Sequence, residues 1–181
     1  MAADNIDIII TFLESTDPGT QSTALKRINQ ILNQKNDIKD EQDKLLPFLK
    51  KELRTTNSPI LTEVVETICL IGRKNPTAIE ELVPDLVNEI KRGNRYRARI
   101  FLEYLADKGG SREKAIKQQI DMIINHALEW FKDSHLTPIL LDFLDRATGK
   151  SKRFLKFHGK KIRSLLDSLP PEMASIRELL E

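Results

Sequence analysis

Apolar residues recur at three- and four-residue steps along most of this chain. Leu25, Ile28, Ile31 and Leu32 form one such set, and Ile120, Ile123, Ile124, Ala127 and Leu128 form another. That spacing lays an apolar stripe along one side of an α-helix. No stretch sustains the alternation of a half-buried strand. The pattern predicts ten helices in five pairs, at about 4–15 and 19–35, 39–55 and 59–73, 76–92 and 95–108, 112–132 and 137–148, and 152–169 and 172–180. Short loops between them make the members of a pair antiparallel neighbours.

The punctuation agrees with the periodicity. Asp17-Pro18, Ser58-Pro59, Asn75-Pro76 and Thr137-Pro138 each set a cap residue before a proline suited to a first helical turn. Gly93, Gly109 and Gly149 stand where helices should stop. Two stretches repeat each other. Leu45-Leu46-Pro47-Phe48-Leu49 leads through Leu53, Asn57, Val64, Val65, Ile68 and Cys69 to Gly72. Leu82-Val83-Pro84-Asp85-Leu86 leads through Ile90, Asn94, Phe101, Leu102, Leu105 and Ala106 to Gly109, with Pro84 lying 37 positions after Pro47. A fixed period of that size indicates stacked supersecondary units. The recurring proline falls early in the first helix of its pair and implies a bend, because it removes a hydrogen bond and crowds the preceding turn.

Composition narrows the class. The chain has 181 residues, about one domain. Apolar residues make up 40% and charged residues 31%, the balance of a folded, well-hydrated protein. The single cysteine, Cys69, cannot form an internal bridge, so a reducing compartment and a cytoplasmic location are expected. No leader-like or membrane-spanning run appears: Ile6 to Leu13 is apolar but short, and Asp7 interrupts it. The net charge of +2 is unevenly placed. Lys91 to Arg99 holds five cations and no acid, and Lys150 to Arg163 holds seven cations and no acid, leaving the remainder at −10. Such asymmetry bears on partners rather than on fold.

The sequence from Leu45-Leu46-Pro47 to Gly72, and from Leu82-Val83-Pro84 to Gly109, resembles the HEAT repeat. Glu14-Ser15-Thr16-Asp17-Pro18 resembles the turn within that repeat. Asn57 and Asn94 stand at or near the family's turn aspartate, and Arg97 matches its arginine early in the second helix. The second repeat carries Ile60-Leu61 in that place, with no arginine. The resemblance covers roughly residues 6–148. It implies an all-α fold, a right-handed α–α superhelix of about five helix pairs occupying 1–181 as one domain. The repeats would be about 4–35, 39–73, 76–108 and 112–148, with a degenerate cap at 152–181. HEAT proteins mostly act as scaffolds, so the resemblance implies a partner macromolecule.

Two constellations are candidate binding sites for an anionic partner. Lys91, Arg92, Arg95, Arg97 and Arg99 lie on a turn and the start of a helix, where arginine forks take phosphate or carboxylate and Tyr96 is placed to stack. The plainer alternative is a solvated turn with Arg99 paired to Glu103. Lys152, Lys156, Lys160 and Arg163 fall near one side of a helix whose other side carries Leu155, Ile162, Leu165, Leu166 and Leu169. That basic amphipathic helix suits nucleic acid, acidic protein or an anionic membrane surface, or is a capping helix with a hydrophilic exterior. Trp130 and Asp133 fit loosely into the template of HEAT-like DNA-repair glycosylases; inter-repeat packing is the simpler role for Trp130-Phe131. His126, His135 and His158 show no metal-ligand spacing, and Cys69 falls on an apolar face as a small filler. No phosphate-cradling glycine loop or nucleophile elbow occurs.

The expectation is a non-enzymatic scaffold, without cofactor or metal, that binds another protein on its concave helices or its ridge of turns. The alternative is a nucleic-acid-binding protein, related to DNA repair, using segments 91–99 and 150–163. Weak contact of those segments with nucleic acid or anionic lipid is a secondary expectation.

Overall fold

The computed structural model describes residues 6–92, 94–109, 111–132, 135–150, 152–169 and 171. Among these there are nine α-helices and no strand. The helix expected over 172–180, Gly93 and Asp133 lie outside the described residues, as does the side chain of Lys152. The helices are α1 (Ile6–Thr11, continued by a 3₁₀ turn at Phe12–Glu14), α2 (Pro18–Gln34), α3 (Lys39–Arg54) and α4 (Leu61–Lys74). After a 3₁₀ stretch at Pro76–Leu82 follow α5 (Val83–Lys91), α6 (Arg95–Asp107), α7 (Lys114–Trp130), α8 (Thr137–Lys150) and α9 (Lys152–Asp167).

Two of the expected starts are capped by side chains. Asp17 Oδ2 accepts from the Thr20 backbone N–H and hydroxyl, each at 2.7 Å, with Pro18 in the first turn. Asn94 Oδ1 accepts from Arg97 N at 3.1 Å. Ser58 does otherwise: its hydroxyl donates to Glu52 Oε2 at 2.8 Å, and α4 begins three residues later, at Leu61. Asn57 beside it takes a positive φ of 60°, a turn conformation asparagine tolerates.

The two repeated prolines are handled differently. Pro47 lies inside α3, which continues through it. The helix expected over 76–92 is instead a 3₁₀ stretch followed by α5, and Pro84 occupies the first turn of α5. A proline has no N–H for the carbonyl four residues back and crowds it, but fits a first turn without loss. The chain therefore restarts its helix at Val83 rather than bending through Pro84.

The contacts divide the chain into two compact units, 1–86 and 87–181, the division falling inside α5. In the first unit α4 is central, packed by α2, α3 and the 3₁₀ stretch, and α1 packs on α2. Nine of its residues, Leu61 to Gly72, are buried around nearly its whole circumference. Cys69 is fully buried there, and burial pushes its thiol up to about 12. In the second unit α6 packs on α8, α7 on α9, α8 on α9 and α6 on α7. Tyr104 donates from its buried hydroxyl to Gln119 Oε1 at 3.0 Å, joining α6 to α7. Phe143 and Phe154 meet edge to face at 6.3 Å, joining α8 to α9. Gly109 admits Phe154: a Cβ there would lie 2.8 Å from that ring.

Long-range hydrogen bonds scatter around the spacing seen in the sequence, from the 31 residues of Lys50–Glu81 and Arg54–Asp85 and the 33 of Asn75–Gln42 upward. Lys44 bonds Asp7 and His158 bonds Asp121, 37 residues apart in each case. Lys74 bonds the Lys35 carbonyl, Arg95 bonds His135 and Ser22 bonds Glu63, at separations of 39, 40 and 41.

Candidate functional site

Segment 91–99 forms the turn after α5 and the first turns of α6. Most of its cations are engaged by acids of the same unit. Glu89, 2% exposed, receives Arg92 on one carboxylate oxygen and lies 3.2 Å from Arg97 Nε with the other. Arg99 Nε donates to Glu103 Oε1 at 2.9 Å, which holds that guanidinium protonated above its ordinary range. Arg146 from α8 shares the same oxygen at 3.3 Å. Lys91 Nζ lies 3.9 Å from Glu129 at the end of α7, and Arg95 Nη2 lies 2.7 Å from His135 Nδ1 before α8. Arg97 is further tied by its backbone N–H to the Asn94 cap. Four of the five cations therefore have a carboxylate neighbour. Tyr96 remains 59% exposed.

The second segment is built differently. The apolar half of α9 is spent on the fold: Phe154, Ile162, Leu165 and Leu166 are buried, on a helix that packs against α7 and α8. Asp121 of α7 receives His158 Nδ1 at 2.8 Å and Lys161 Nζ at 2.6 Å, while Lys117 sits 4.0 Å over the Phe157 ring. Lys156, Lys160 and Arg163 are exposed and make no ion pair with another described residue. They lie within about 60° of one another around the helix, opposite the packed seam.

The first segment and the start of α9 meet α6 at different ends. Arg95, at the start of α6, meets His135; Gly109, just past its other end, meets Phe154 of α9. The thirteen residues of α6 span about 20 Å. Segment 91–99 thus sits at the opposite end of α6 from the start of α9. The stripe on α9 points away from the helices that α6 touches.

Trp130 and Phe131 are buried, Trp130 stacking on His126 at 5.4 Å, so this aromatic pair serves packing. In the first unit, a groove of about 610 Å³ between α3 and the 3₁₀ stretch has Leu46, Pro47, Ala78 and Leu82 in its lining, with Lys50 and Glu81 paired at 2.8 Å beside them. Pro47 was the one signal of it in the sequence. A second groove, of about 590 Å³, runs between α1 and α2 beside Phe12, which is 51% exposed. Charge follows the division of the fold: 1–86 carries ten Lys and Arg against fourteen Asp and Glu, and 87–181 carries nineteen against thirteen. Among the described residues no group of three or more His, Cys, Asp or Glu is placed to hold a metal ion, and no helix is long and apolar enough to cross a membrane. No protein-family model, curated protein or solved structure matches this chain.

Proposed function

We propose that this chain is a HEAT-like α-solenoid, a right-handed α–α superhelix, that serves as a non-enzymatic module for binding another protein. The observation that carries the reading is the recurrence of long-range hydrogen bonds at separations of 31 to 41 residues. That range brackets the 37-residue sequence period, and stacked helical repeats present extended surfaces built from successive units. The neutralisation of segment 91–99 by Glu89, Glu103 and Glu129 favours a protein partner over a nucleic-acid groove lined by both basic segments. A reducing setting, the cytoplasm, suits the lone buried thiol of Cys69.

The test is affinity capture of the tagged chain with and without nuclease. A protein retained after nuclease, and lost when Phe12 is changed to Ser or Leu46 to Asp in a variant that melts like the parent, is the expected result. Release of all captured material by nuclease would overturn the reading.

A further inference from the structure

Three features coincide on the outer side of α9. Lys156, Lys160 and Arg163 form a cationic stripe with no ion pair to another described residue. Beside it, Leu155 and Gly159 stand one turn apart on the same side of the helix, and Leu155 is 50% exposed. Gly159 lies in the helix interior, yet a Cβ built there would meet nothing within 4 Å. Packing inside this chain does not require a glycine at that position, and glycine there weakens the helix relative to alanine. The result is a notch of apolar floor flanked by positive charge, on a helix whose opposite side already packs on two others.

We propose that this face of α9 docks an acidic amphipathic helix of a partner protein. Its carboxylates would meet Lys156, Lys160 and Arg163, and an apolar side chain would seat over Gly159 against Leu155. The inference rests on the reading of the chain as a protein-binding module. Other occupants fit less well. A second copy applied through the same face would oppose the three cations to themselves. An anionic membrane is met by an amphipathic helix through its apolar side, and here that side is inside the fold. Nucleic acid has use for the cations, but the stripe holds no aromatic or amide group to stack on or read a base, and the apolar notch contributes nothing to a phosphate contact.

A displayed library of random 16-residue peptides, selected on the full chain, tests this directly. Enrichment should favour peptides with acids at helical three- and four-residue spacing and one or two leucines. Their binding should weaken about 30-fold or more with the combined changes Lys156→Glu, Lys160→Glu and Arg163→Glu. It should also weaken with rising salt. Gly159→Ala separates docking from folding: it should raise the melting temperature by roughly 2–4 °C while weakening the peptides roughly fivefold by filling the notch. Enriched peptides that bind as well to the charge-reversed chain would overturn the docking face and leave the module reading standing. A selection that enriches no peptide, with a 20-base-pair DNA duplex binding through the same three residues, would overturn both.

Discussion

The two basic segments look alike as strings of residues and differ as surfaces. Segment 91–99 is denser in arginine, yet its charge is largely answered within the same unit by Glu89, Glu103 and Glu129. Arg97 in particular is half-buried against a buried carboxylate, so it is part of the framework that joins α5 to α6. The α9 stripe is sparser, but Lys156, Lys160 and Arg163 face outward from a seam that needs none of them. A run of cations therefore predicts a charged exterior only when no acid is brought to it. Of the nine candidate residues, Lys156, Lys160 and Arg163 form the open set. Lys91, Arg92, Arg97 and Arg99 are committed to carboxylates, Arg95 to His135, and the side chain of Lys152 lies outside the described residues.

That contrast is exposed to measurement, and its largest expected effect lies at Glu89. Glu89→Gln removes a buried charge and leaves Arg97 beside it unanswered, which should cost about 3–5 kcal/mol in urea melts. Lys156→Ala and Lys160→Ala should each stay within about 0.5 kcal/mol. A loss at Glu89 no larger than at Lys156 would erase the distinction between the segments.

The apolar residues of the same two helices sharpen it. Leu105 of α6 is fully buried, and Leu105→Ala should cost about 2–5 kcal/mol. Leu155 of α9, half exposed, should cost under about 1 kcal/mol on the same change. Next in size is the cap. Asn94→Ala should lower stability by about 1 kcal/mol and loosen Arg97 with it, visible as faster amide exchange at the start of α6.

Binding to duplex DNA should be weak, with a dissociation constant of about 10⁻⁴ to 10⁻⁶ M at physiological salt. Changing Lys156, Lys160 and Arg163 to Ala should flatten the log–log salt slope by about three, whereas changing Arg95, Arg97 and Arg99 should move it by less than about one. Equal changes from both triplets, or nanomolar affinity at 150 mM salt, would restore the nucleic-acid alternative.

Cys69, in the first unit, supplies a control. Its folded pKa of about 12 exceeds that of an unfolded thiol, about 8.5. Between those values the folded chain keeps a proton that the unfolded chain loses, so this contribution to stability is present below about pH 8.5 and falls as pH rises above it. Iodoacetamide should leave native Cys69 unmodified at pH 8, and Cys69→Ala should flatten the alkaline decline. Rapid alkylation of the folded protein would place the thiol outside the core.

The helical class and most boundaries were legible in the chain because they follow from local rules, but only the first two expected pairs, α1 with α2 and α3 with α4, are packing partners; in the second unit α6 packs on α8 and α7 on α9 instead. Asp17 caps the helix it precedes, though Asn75, expected to do the same, makes no side-chain cap bond, and the three- and four-residue spacing marks α2 and α7 as amphipathic. Leu105 and Cys69 fall on apolar lines that prove buried. What escaped is what depends on distant groups. Ser58 turns back to Glu52 instead of capping α4. Pro47 rides inside a helix while Pro84 restarts one, although the surrounding sequences are alike. The fate of each cation depends on acids and packed faces that one-dimensional spacing does not locate: Asp121 takes His158 and Lys161 from across the α7–α9 seam, and Glu103 takes Arg99 from its own helix together with Arg146 from α8. Local propensity and period determined the helices. The tertiary arrangement decided which charges remain open to a partner, because Coulomb and hydrogen-bond terms depend on distances that only packing sets.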